Sequence, residues 1–143
     1  MPHLVILYTP QLDKETNMDV LCRSLANTML AARDEKGEAV FPPGGTRVLA
    51  FPAAHYAVAD DGSAGRAAGG NGNYAFVYLQ LRMANGRTSA THASVGDALL
   101  KTTRTHFADI FEKRHIGITL QIDDSTPVYD AKHSNLHPLF NKA

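Results

Sequence analysis

Met1-Pro2-His3-Leu4-Val5-Ile6-Leu7-Tyr8 is the stretch from which the fold can be read outward. Leu4–Tyr8 is an unbroken apolar run of strand length, the pattern of a strand covered on both faces and central in its sheet. Proline lacks a backbone N–H and is a poor strand interior, yet it is tolerated as a strand's first residue, so Pro2 can open this one. Removal of Met1 would turn Pro2 into a secondary amine held by its own ring and by the strand behind it. A free α-amino group titrates near ~7.7–8.0, and burial or nearby cations lower that value, so such an amine can serve as a neutral base.

Beyond that strand the chain alternates between two periods. Thr9-Pro10 breaks the run, and Asn17 is placed to cap a helix carrying Leu21, Cys22, Leu25, Met29 and Leu30 at intervals of three and four. Cys22 falls on the buried stripe, where a thiol acts as a small hydrophobe, and no neighbouring base recommends it as a nucleophile. Charged Arg33–Lys36 and then Gly37 end the helix. Phe41-Pro42-Pro43-Gly44-Gly45 is a rigid turn leading into the strand Thr46–Phe51, which Pro52 confines to an edge or a bend. Strand, helix and strand in this order form a right-handed βαβ unit with parallel strands, which lets Arg47 lie close to Pro2.

The second half repeats the plan. Residues 60–73 turn to Gly, Ala, Ser and Asp and read as a flexible surface loop between halves. Gly70, Gly72 and Ala75 match the letters of a dinucleotide fingerprint, but a loop precedes them and a strand follows, so that reading is rejected. Ala75, Val77, Leu79, Leu81 and Met83 alternate with Tyr74, Phe76, Tyr78, Gln80 and Arg82 as a strand. Asn85-Gly86 signals a turn with Arg87 directly after it. Thr88 or Ser89 can then cap a long helix whose stripe is Val95, Leu99, Phe107, Ile110 and Phe111, with Gly117 near its end. Ile118, Leu120 and Ile122 form a fourth strand. The expected fold is α+β: two consecutive β-α-β units making a four-stranded mixed sheet with two helices on one face, in a single domain over residues 1–143.

Charge and composition narrow the function. The 143 residues carry 14 Lys+Arg against 14 Asp+Glu, so no global field draws the chain to nucleic acid or to a membrane, and anion recognition must come from individually placed cations. Cys22, the single cysteine, excludes an intramolecular disulfide and agrees with the cytoplasm, as does the lack of a membrane-length apolar run or a signal-peptide pattern. His133 and His137 have a metal-compatible spacing, but Pro138 follows and no carboxylate or cysteine is fixed beside them, so no metal site is assigned. Leu136, Leu139 and Phe140 read instead as a tail that docks on a neighbouring surface.

Taken together, Met1-Pro2-His3, Phe41-Pro42 with Gly45-Thr46-Arg47, Tyr74-Ala75-Phe76-Val77 with Gly86-Arg87, Thr105-His106-Phe107 and Asn135-Leu136-His137 with Leu139-Phe140 run through nearly the whole chain. In that order they resemble the tautomerase superfamily, and within it the 5-carboxymethyl-2-hydroxymuconate isomerase family of homoprotocatechuate degradation. The resemblance implies a cofactor-free isomerase acting on a small anionic substrate, with Pro2 as general acid/base and Arg47 and Arg87 as catalytic and substrate-binding cations. It also implies a homotrimer. Arg82, His3 and His106 are expected to be structural or interface residues. The alternatives are a tautomerase of another enol or keto acid, or a non-catalytic trimeric ligand-binding protein of the same fold. Residues 60–73 and the stretch before Phe41 look longer than the family pattern.

Overall fold

The structure, a computed structural model, describes residues 2–140, so the fate of Met1 lies outside the described residues. Four strands, β1 (His3–Tyr8), β2 (Arg47–Pro52), β3 (Ala75–Arg82) and β4 (Ile116–Asp123), form one sheet in the order β2-β1-β3-β4. β1 pairs parallel with β2 and β3 with β4, while the central β1–β3 pair is antiparallel. This is the mixed sheet of two βαβ units. Pro52 sits at the far end of an outer strand, where its missing N–H breaks no interior ladder.

Alternation along the strands divides the sheet into two faces. Leu4, Ile6, Val77, Leu79 and Leu81 have no solvent exposure and point toward helices α1 (Met18–Ala31) and α3 (Ser89–His106). Leu21, Leu25, Met29, Val95 and Leu99 meet them from the helix side. Burying each such side chain is worth about 1.5–3 kcal/mol, so Leu79→Ala, which also leaves a cavity, would cost about 2–5 kcal/mol. The two helices touch through a 2.7 Å hydrogen bond between the Thr28 and Thr102 hydroxyls. The opposite face carries His3, Val5 and Leu7 of β1 in register with Arg47, Leu49 and Phe51 of β2. Leu7, Leu49 and Phe51 are about half exposed there, an apolar patch with no cover in the single chain.

Both expected helix starts are present. Asn17 Oδ1 accepts from the N–H groups of Asp19 and Val20, and Thr88 Oγ1 accepts from the N–H of Thr91. Three expectations need correction. The second helix is not continuous: it breaks at Phe107, which is fully buried, and α4 (Ala108–Lys113) follows. That break turns Phe111 outward, half exposed, and leaves Gly117 inside β4, where an added Cβ would lie 3.1 Å from the Phe76 ring. Cys22 is only half-buried, packed against the core beside Tyr8 and Val48.

The third correction concerns residues 60–73, which are built rather than loose. A short helix, α2 (Ser63–Ala67), lies within them, and Asp60 caps it by accepting from the N–H groups of Gly62 and Ala64. Gly62, at φ +91°, approaches Gly72 so closely that a Cβ would sit 2.3 Å from the Gly72 carbonyl oxygen. Glycine is thus required by the fold of this segment. Tyr74 accepts the Gly65 N–H on its hydroxyl, and Arg114 donates to the Asn73 carbonyl at 2.6 Å and to Glu15 at 2.9 Å. The segment lies at the Tyr8–Ala75 end of the sheet, seven residues of β3, or roughly 23 Å, from Arg82.

Candidate active site

Pro2 is buried at the head of β1, on the helix side of the sheet. A cavity of about 150 Å³ opens beside it, lined by Val40, Phe41, Pro42, Met83, Ala84, Arg87, Lys132 and His137. The Pro43–Gly45 turn, which follows the lining residue Pro42, packs on the C-terminal turn His137–Phe140. Contact there is close: a Cβ on Gly44 would fall 2.9 Å from the His137 Cα.

Arg87 is aimed by the segment after α1. One guanidinium nitrogen donates to the Val40 carbonyl at 2.8 Å and another lies 3.8 Å from Asp34. The Asp34 carboxylate is fixed in turn, accepting from the N–H groups of Glu38 and Lys36, and these bonds together with Arg87 hold its pKa below the usual range. Glu35 accepts hydroxyl bonds from Thr88 and Thr91, both at 2.6 Å, and these keep its carboxyl ionised to lower pH. The turn residues 33–39 are therefore fastened to the start of α3, and Arg87 is caught between the two.

Arg47 is elsewhere. It pairs in register with His3, so its side chain leaves the sheet on the open face, opposite to Pro2. There it lines a second, larger cavity of about 1120 Å³ with His3, Arg82 and residues 125–134. Burial first, and then the positive field of Arg47 and Arg82, pushes the His3 imidazole below its ordinary pKa, so it stays neutral. Met83, Ala84 and Lys132 form a wall common to both cavities.

The profile of a family described as 5-carboxymethyl-2-hydroxymuconate isomerase matches residues 2–140. The chain belongs to that family. The 5-carboxymethyl-2-hydroxymuconate Delta-isomerase of Escherichia coli is 25% identical over 140 residues, spanning 98% of this chain and 99% of that one. A crystal structure of a 5-carboxymethyl-2-hydroxymuconate delta-isomerase is 52% identical, with a TM-score of 0.96 over 100% of this chain and 95% of the other. A 5-carboxymethyl-2-hydroxymuconate isomerase structure from Deinococcus radiodurans R1 has a TM-score of 0.80 at 29% identity, over 99% of this chain and 95% of that one.

For a 5-carboxymethyl-2-hydroxymuconate isomerase family chain, the residues picked from sequence distribute unevenly. Pro2 and Arg87 share a cavity; Arg47 lies in the next one, together with Arg82, which its strand alternation alone had set aside. Lys132 was passed over because a lysine two residues from an aspartate, in a stretch without periodicity, carries no signal. His137 had one, in the Asn135-Leu136-His137 run, but only the fold reveals that it walls the Pro2 cavity. His106 is a packing residue, 2.8 Å from the Thr16 hydroxyl and edge-on to Phe107. Among the described residues no group of three His, Cys, Asp or Glu side chains could hold a metal, and no helix is long and apolar enough to cross a membrane.

Proposed function

We propose that this chain isomerises 5-carboxymethyl-2-hydroxymuconate, with Pro2, freed of Met1, as the base that takes the enol proton and returns it to carbon. The observation that carries the reading is the placement of Pro2 and Arg87 around one small cavity at the buried head of the central strand. A base with a pKa near neutrality works in both directions, which a proton shift from oxygen to carbon requires. Such a base supplies ~10²–10⁴-fold. Arginine adds to it by stabilising charge that develops on the enolate oxygen and by binding carboxylate through two parallel hydrogen bonds. In this reading Arg87 acts beside the reacting atoms and Arg47 holds a carboxylate further along the substrate.

The same proposal includes a homotrimer, in which neighbouring copies cover the exposed Leu7, Leu49 and Phe51, and a cytoplasmic location suited to a lone half-buried thiol. The alternatives of a different enol or keto acid, or of binding without catalysis, rested on residues 60–73. That segment lines neither cavity, so it offers them no support.

The test is the state of the amino terminus. A peptide-bonded proline nitrogen is an amide with neither a basic lone pair nor a proton to deliver. Protein verified by mass spectrometry to begin at Pro2 should isomerise the dienol in an ultraviolet absorbance assay, whereas protein retaining Met1 should be inactive. The kcat/KM of the trimmed form should rise with pH as the amine deprotonates, with an apparent pKa below that of an exposed α-amino group. Equal activity from both forms would eliminate Pro2 as the base.

A further inference from the structure

The Pro2 cavity, at about 150 Å³, is too small to enclose a substrate of the proposed kind, since ligand pockets usually span ~300–1,000 Å³. A molecule reacting at Pro2 must therefore cross into the larger cavity beside it. Of the three residues in the common wall, Met83 and Ala84 carry no charge, and Lys132 is a cation.

Lys132 belongs to the segment between β4 and the His137–Phe140 turn, which has no regular secondary structure. Both ends of that segment are nevertheless attached. Asn85 donates to the Thr126 hydroxyl at 2.8 Å, and at the far end His137 seats on Gly44. The lysine is thus carried on a strap fixed at two points. Its Nζ donates to Asp130 Oδ2 at 2.6 Å, and both side chains are nearly half exposed. An exposed pair of this kind adds little net stability, so an arriving carboxylate can displace Asp130.

We propose that Lys132 is a specificity-determining residue that binds one carboxylate of a three-carboxylate substrate spanning both cavities, with Asp130 occupying it until the substrate arrives. The assignment rests on the isomerase reading for its substrate class. Lys132 holds the acid arm that extends past the reacting carbons, and it takes no part in moving the proton.

Steady-state kinetics on the form beginning at Pro2 test this directly. Lys132→Ala should raise KM for 5-carboxymethyl-2-hydroxymuconate about tenfold, the loss expected of one charge-assisted hydrogen bond, with kcat and its pH profile unchanged. The analogue lacking the carboxymethyl group should show a much smaller change. Lys132→Arg should restore most of the affinity, and Asp130→Asn should lower KM. A parallel drop in kcat for both substrates, or no change in KM, would overturn the proposal. Calorimetric binding of unreactive propane-1,2,3-tricarboxylate reads the lysine without turnover: weaker binding by Lys132→Ala supports the assignment even in a protein that proves inactive. Binding equal to that of the unsubstituted protein, or absent from both, refutes it.

Discussion

The two cavities that meet at Met83, Ala84 and Lys132 differ in size and in the cations they gather. Arg87, beside Pro2, is locked by a backbone carbonyl and a carboxylate that is itself fixed by two N–H groups. The larger cavity gathers Arg47, Arg82 and His3 at strand ends on the open face, under a strap whose Val128 and Tyr129 are almost wholly exposed. Rigid support suits a group that must meet a developing charge without reorganising, and a wide cavity that gathers several cations suits the capture of an anion. In the proposed mechanism, that difference fits proton transfer in the small cavity and recognition in the large one.

The arginines give the sharpest way to break that division. Arg87→Ala and Arg47→Ala should each cost about 1.5–3 kcal/mol, or roughly ten- to a hundredfold in kcat/KM. The first should act mainly through kcat and the second mainly through KM. Arg82→Ala should do less than either. Circular dichroism would confirm that each variant is folded, and Arg87→Lys would control for the lost Val40 partner. If Arg47→Ala lowered kcat alone, the two cavities would not have separate tasks.

A smaller effect is expected at the Pro43–Gly45 turn. Gly44→Ala would drive a methyl against the His137 backbone, and such overpacking costs about 1–3 kcal/mol. Urea denaturation should show the lower midpoint, and KM should rise as the turn that anchors the Lys132 strap is displaced. An unchanged KM would mean that the strap is positioned independently of Gly44.

The smallest effect concerns pH and lies outside both reacting groups. Burial lowers the pKa of His106, as it does, with Arg47 and Arg82, that of His3. The unfolded chain, with histidines near ~6.5, therefore binds more protons than the folded one as the pH drops below that value. Stability fully present above about pH 6.5 should fall as the pH drops toward the lower folded values. Urea midpoints at neutral and mildly acidic pH would measure it, and His106→Gln should flatten the dependence.

Much of this arrangement was legible before any coordinates. The period-two alternation of Ala75–Met83 and the capping residues Asn17 and Thr88 are local signals, and local signals define elements. The order of strands and helices then constrains the topology. The break at Phe107 was hidden because a phenylalanine on the stripe looks the same whether the helix continues or turns there. The compactness of residues 60–73 was hidden for a different reason. Gly and Ala imply freedom, whereas here they permit backbone to touch backbone, as between Gly62 and Gly72. At the site, Pro2 was legible as a strand opener, but the division of Arg47 from Arg87 depends on which face of the sheet a side chain leaves, and on a carbonyl 47 residues away. No local pattern contains either.

The backbone packing around α2 also bears on how the chain meets a protease. Cleavage requires several residues to be drawn out as an extended strand, and exposed tips rich in small residues are ordinarily where nicking starts. Between Asp60 and Asn73 that extension would first have to undo the Asp60 cap, the Gly65 bond to Tyr74 and the Arg114 bond to Asn73. The stretch that looks most open to digestion by composition is thereby tied down by hydrogen bonds that its extension would have to break.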